Sequence, residues 1–142
     1  MTVDDIVSRR SGDTVTVPPG MSVRDAVALL SDRSIGAVPV VDGGSLLGIM
    51  SERDVIHCVA RDGAAVLDWT VERIMTAPAI TVEPGRTVLA ALSLMTSRRI
   101  RHLPVVEGGN LLGIVSIGDL VKHRLDQIEQ EAEAMLSYIQ SA

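Results

Sequence analysis

Apolar and polar positions follow two rhythms along this chain, and the rhythms recur in the same order twice. After Ser22 the apolar residues Val23, Ala26, Val27 and Leu30 fall at helical spacing; after Thr87 so do Val88, Ala91, Leu92 and Met95. The hydroxyl residue before each run is placed to accept from an amide of the first turn, which makes Ser22 and Thr87 N-caps. "AVPVV" and "LLGIMS" then read as strands about the turn "DGGS", and "LPVV" and "LLGIVS" as strands about "EGGN". Residues 14–17 add a short strand ended by Pro-Gly, and further helices are expected from Ser51 and from Ser116. The predicted order is β-α-β-β-α, written twice.

The repetition is literal. Residues 16–60 align with 81–125 without a gap at an offset of 65, keeping P-G, P-V-V, G-G, L-L-G-I and S-x-x-D in order. A shorter echo, "TVDDIV" from Thr2 and "TVERIM" from Thr70, precedes each copy. One such unit leaves an apolar face uncovered, so two are expected to pack face to face about a pseudo-twofold axis. The fold class expected is therefore α+β (α/β): a first repeat over 1–65, a second over 66–125 and a C-terminal helix over 126–142, with residues 61–69 as the connection. The double glycines lie between strands and do not open a helix, so they are hairpin turns and not a phosphate loop. From Gly118 onward the pattern changes. Val121, Leu125, Ile128, Ala132, Met135 and Ile139 are spaced 4, 3, 4, 3, 4, a heptad seam suited to a partner helix, with folding back onto the same domain as the alternative.

Composition narrows the function classes. The 142 residues suffice for one compact domain or two halves sharing a core. The apolar runs are short and interrupted, so no membrane span is expected. "MTVDDIVSRR" opens with acids and has no long apolar stretch, so no signal peptide is expected either. Cys58 stands alone and cannot form an internal disulfide, which fits a reducing cytoplasm. A net charge of −5 argues against nucleic acid as a general partner. With one Trp, one Tyr and no Phe, a planar ligand must be gripped by aliphatic walls and not by stacking on rings. His57, His102 and His123 lack metal-ligand spacing, and no Ser, Cys or Lys has a nucleophile context. No catalytic residue, metal site or required cofactor is expected, and the chain is not read as an enzyme.

Two features carry candidate chemistry. "GIMSERD" and "GIVSIGD" place Ser-x-x-Asp at a strand-to-helix junction. This is a capping pattern, with the Asp where the helix dipole favours negative charge. A carboxylate there also suits a ribose diol, and the helix N-terminus suits a phosphate. The motif occurs twice behind the same Gly-hydrophobic pair, which capping does not need. The second feature is "SRRIRHLPVV". Arg98, Arg99, Arg101 and His102 crowd before a strand, where the first repeat has Arg33, Ser34, Gly36 and Ala37. Arg98 reads as solvated. Arg101 and His102 sit at the turn before the strand, and planar charged donors at a sheet end fit phosphate.

With these motifs the duplicated unit resembles a pair of cystathionine-β-synthase (CBS) domains, the Bateman module, over nearly the whole chain, and it is similar to stand-alone bacterial CBS-pair proteins. The resemblance implies adenosine-nucleotide ligands (AMP, ATP or NADH) in two clefts between the repeats, regulation of an unidentified partner protein, and a homodimer. It also implies crossed clefts. One would combine Ser51, Arg53 and Asp54 with Ile80, Arg101 and His102: Asp54 on the ribose, Ser51 on the sugar or α-phosphate, the basic residues on phosphates, backbone near Ile80 on the adenine edge. The other would combine Ser116 and Asp119 with Val15, Gly36 and Ala37. It lacks cations, and Gly118 stands where the first has Arg53, so a less charged ligand or none is expected there. Inosine monophosphate dehydrogenases carry such repeats on a barrel of ~250 residues, which this chain cannot hold. A ligand-free dimerisation scaffold, with Ser-x-x-Asp serving only as caps, stays open as the alternative.

Overall fold

The structure is a computed structural model and describes residues 1–10 and 12–141. The elements are α1 (Val3–Val7), α2 (Val23–Arg33), β1 (Ala37–Asp42), β2 (Ser45–Ser51), α3 (Glu52–Asp62), a 3-10 turn (Gly63–Asp68), α4 (Val71–Ile74), α5 (Val88–Arg98), β3 (His102–Glu107), β4 (Asn110–Ser116) and α6 (Ile117–Ser141). The mixed α+β class and the twofold repetition are as the periodicity predicts. The caps form too. The Ser22 hydroxyl accepts from Asp25 N at 3.1 Å and the Thr87 hydroxyl from Ala90 N at 3.1 Å. Val23, Ala26 and Leu30 of α2 and Val88, Ala91 and Met95 of α5 are buried, which is the face their spacing defines.

β1 pairs antiparallel with β2, and β3 with β4, in the same register and with the same irregularity after Val40 and Val105. Each hairpin turns on two glycines with positive φ, 57° and 83° at Gly43 and Gly44, 57° and 81° at Gly108 and Gly109. Two such residues in succession define the tight turn whose twist matches the strands. The strand expected over residues 14–17 reduces to a single parallel bridge, Val17 to Val40, mirrored by Val82 to Val105. Pro39 and Pro104, which cannot donate, offer their carbonyls to Val17 N and Val82 N at 3.1 and 3.0 Å.

Packing crosses the boundaries that the order of the repeats suggests. The first core gathers Val17, Val23, Leu30, Val38, Val40 and Met50 and also takes Val66, Val71 and Ile74. The second gathers Val82, Val88, Met95, Leu103, Val105, Val115 and Leu120, and takes Val3 from the N-terminal helix. Each half thus borrows a short helix from the segment preceding the other repeat, and the two hairpins meet where β2 lies against β4. Burying Val3 completely ties the N-terminus to the second half by about 1.5–3 kcal/mol.

α6 runs unbroken from Ile117 to Ser141 with no boundary at 125/126. At 1.5 Å per residue its 25 residues extend about 37 Å. Leu120 is its one buried residue, while Val121, Leu125, Ile128, Met135 and Ile139 all stand exposed. The seam is not folded back on its own domain. No helix among the described residues is long and apolar enough to cross a membrane.

Candidate nucleotide cleft

Ser51 ends β2 and caps α3. Its hydroxyl accepts from Asp54 N at 3.2 Å, and the Asp54 carboxylate returns the contact by accepting from Ser51 N at 2.9 Å and from the Ser51 hydroxyl at 3.1 Å. The capping box is therefore complete. The other Asp54 oxygen accepts from the Thr76 hydroxyl at 3.0 Å. A carboxylate offers about four acceptor positions, so roughly one is left open, and a diol would have to displace the Thr76 hydroxyl to gain two.

The capping box lies on the wall of a cleft of about 680 Å³ between the repeats. Ser51, Arg53 and Asp54 line it from the first half, and Ile80, Arg101 and His102 from the second. That is the first of the two sets named from sequence, brought together as a unit. Its size falls in the range of small-molecule sites. Ile49, Ile56 and Ile100 supply the aliphatic walls that a chain poor in aromatics must use. Neither the amide nor the carbonyl of Ile80 has a partner among the described residues, so both can meet the edge of a ligand. Arg53 stands with the carboxylate and hydroxyl on the α3 side, and Arg99 and Arg101 come from the other repeat.

The CBS-domain family model matches residues 3–61 and 71–126, the two copies of the repeat. The chain belongs to the CBS-domain family. It is 38% identical over 124 residues to the mitochondrial CBS domain-containing protein CBSX3 of Arabidopsis thaliana, covering 84% of this chain and 60% of that one, so it spans less than two thirds of that relative. Among solved structures, the CBS-domain protein ATU1752 of Agrobacterium tumefaciens superposes with a TM-score of 0.82 at 43% identity, covering 87% of this chain and 92% of that one. CBSX2, solved in complex with AMP, superposes at 0.76 with 29% identity, covering 90% and 98%. The CBS pair of MJ0100, solved with 5′-methylthioadenosine and S-adenosylmethionine, superposes at 0.78 with 27% identity, covering 89% and 98%.

Within this CBS pair four sequence expectations need correction. The first concerns the glycine before each Ser-x-x-Asp, which looked superfluous to capping. A Cβ on Gly48 would lie 2.5 Å from the Thr76 carbonyl oxygen, and one on Gly113 would lie 2.8 Å from Val7 Cγ1. The glycines admit the segments that end α4 and α1. Packing explains them without a ligand.

The second concerns His102. Burial holds its pKa below the ordinary 6.5; Glu52 and Asp119 pull it back up, and Arg101 pushes it down. Burial thus favours its neutral, hydrogen-bonding form in the cleft. The positive charge of the first cleft comes from Arg53, Arg101 and Arg99. Arg99 is the one of these that the resemblance did not name. It ends α5 in the left-handed region with φ 54°, and its carbonyl accepts from Arg53 Nη1 at 3.3 Å.

The third concerns the second set. Gly36 lines the first cleft, where a Cβ would meet His102 Cε1 at 3.1 Å, Ala37 is buried, and Val15 packs on the first core. Ser116 and Asp119 do form the equivalent cap, with Ser116 N donating to Asp119 at 2.8 Å and Asp119 N to Ser116 at 3.1 Å. The fourth is that this side does have a cation. The Arg10 guanidinium donates to Asp119 and to the Ile114 carbonyl. Sequence reasoning missed Arg10, Thr76 and Glu52. Thr76 follows the "TVERIM" echo directly, the one signal that pointed toward it.

Proposed function

We propose that this CBS pair is a regulatory module that binds an adenosine nucleotide in its first cleft and passes occupancy on to a partner protein. The observation that carries the reading is the convergence in one cleft of Asp54 and Ser51, at a helix N-terminus, with Arg53 beside them and Arg99 and Arg101 from the other repeat. Ribose hydroxyls need acceptors at one end and phosphate needs donors at the other. The ligands of CBSX2 and MJ0100 are adenosine derivatives, which supports the same class here.

Thermal melting with a nucleotide panel tests it. AMP, ATP or NADH at millimolar concentration is expected to raise Tm by mass action, with GMP and CMP doing less. No shift with any adenosine nucleotide would overturn the reading.

A second reading, a dimerisation scaffold, is favoured by the exposed seam of α6 and the complete capping box. The two readings are compatible in one respect: both put a second copy of the chain on α6. Truncation after Lys122 removes the seam beyond Val121 and is expected to weaken self-association in sedimentation equilibrium. Equal association by the truncated chain would remove the seam from the account.

A further inference from the structure

The offset of 65 makes Asp119 the counterpart of Asp54 and Ile114 the counterpart of Ile49. In the first half both acceptors are served by Thr76: its hydroxyl donates to Asp54 at 3.0 Å and its amide to the Ile49 carbonyl at 2.8 Å. In the second half both are served by one side chain, Arg10. The substitution follows from the local fold. α1 runs through Val7, the position of Met75, whereas α4 ends at Ile74. The chain leaving α1 therefore takes a different path, and a long forked side chain from Arg10 reaches back to β4 and α6.

We infer that Arg10 is a lock on the second Ser-x-x-Asp cap, holding the Asp119 carboxylate in an intramolecular ion pair and keeping ribose from it. The inference rests on the nucleotide reading proposed for the first cleft. It turns on the difference between the two occupants. Thr76 offers Asp54 one hydrogen bond from a neutral hydroxyl, which an incoming hydroxyl replaces like for like. Arg10 offers Asp119 a charged one, anchored by a second prong on the Ile114 carbonyl. A neutral diol must displace a charged donor and leave both ion-pair partners with neutral ones, a difference of roughly tenfold or more in affinity. The lock is also reversible, because Arg10 and Asp119 side chains are 38% and 37% exposed and the pair is open to salt. One chain thus presents two versions of the same site, the first available and the second held by the chain's own N-terminal segment. The ligand class for the unlocked cap is an uncharged nucleoside, since Gly118 stands where the first motif has Arg53.

Isothermal titration of the full chain with adenosine and with AMP tests this, using Arg10→Met, which keeps the aliphatic stem and removes the fork. The parent is expected to bind one adenosine ligand per chain. Arg10→Met is expected to bind two adenosines, the second at least ~10-fold tighter than any second event in the parent. Adding Asp119→Ala to Arg10→Met should abolish that second event and leave the first. One site in both parent and Arg10→Met, with melting curves showing both folded, overturns the lock and leaves the nucleotide reading standing. Two sites in the parent, the second weakened by Arg10→Met, also overturns it and makes Arg10 a ligand-binding cation. Failure of every variant to bind either compound overturns the nucleotide reading and the lock with it.

Discussion

Replacing Gly48 by alanine adds one methyl group at a place where the structure leaves none. The new Cβ would sit 2.5 Å from the Thr76 carbonyl oxygen, 3.0 Å from Met75 Sδ and 3.2 Å from Ala77 Cβ. A thioether can swing aside. The carbonyl cannot, because Thr76 is pinned to Ile49 by a pair of backbone bonds of 3.0 and 2.8 Å. Relief needs the Thr76 segment to move by about half an ångström or more, stretching both bonds and lifting its hydroxyl from Asp54. Overpacking costs typically ~1–3 kcal/mol, which for a chain of this length lowers Tm by roughly 4–12 °C. Gly113→Ala is the internal control. There the nearest atom is a side-chain methyl of Val7, 2.8 Å away, and not a hydrogen-bonded backbone carbonyl, so a smaller loss is expected. Differential scanning calorimetry of the two variants reads the comparison directly. If Gly48→Ala melts with the parent while its nucleotide affinity collapses, the glycine serves a ligand and the packing explanation is wrong.

Two further predictions concern the cleft's charge. Arg101 is exposed, and no side-chain hydrogen bond or ion pair of Arg101 is found among the described residues, while its carbonyl keeps the Ile117 amide whatever the side chain. Arg101→Ala is expected to leave stability within ~0.5 kcal/mol and to cost ~1.5–3 kcal/mol of AMP binding, roughly 10- to 150-fold by titration calorimetry; equal affinity with an earlier melt would make the cluster structural. For His102 the sign follows from its lowered pKa: between its folded value and 6.5 the unfolded chain binds more protons, so the stability its neutral form contributes is present above pH 6.5 and lost as pH falls through the folded pKa. His102→Gln should flatten the fall in denaturant-measured stability between pH 7 and 5, and an unchanged slope would refute burial as the cause.

What could be read from the sequence was local. Ser22, Thr87 and Ser51 are caps because a hydroxyl and an amide three residues on must meet, and the structure shows those bonds. The α2 and α5 faces are legible for the same reason, since helical spacing alone selects Val23, Ala26 and Leu30. The first cleft was legible only through the family resemblance, which supplied the crossing of one repeat with the other. What escaped depends on partners far apart in the chain. Gly48 meets Thr76, Val3 joins the second core, and Arg10 reaches Asp119 across 109 positions, and no periodicity records such meetings. His102 escaped differently, because its charge is set by burial and by the balance of Glu52, Asp119 and Arg101, which exist only once the chain is folded. Residues 14–17 have strand-like composition but find just one bridge, because the β1–β2 hairpin offers them an edge at Val40 alone.

An adenosine nucleotide is expected in the cleft between Asp54 and Arg101. The most direct test is to titrate AMP into isotopically labelled full-length chain and follow the backbone amide resonances. Shifts are expected at Ser51, Arg53, Asp54, Thr76, Ile80 and Arg101, with Ser116 and Asp119 staying still while Arg10 holds its place. An unchanged spectrum at millimolar AMP, or shifts that cluster away from this cleft, would contradict it.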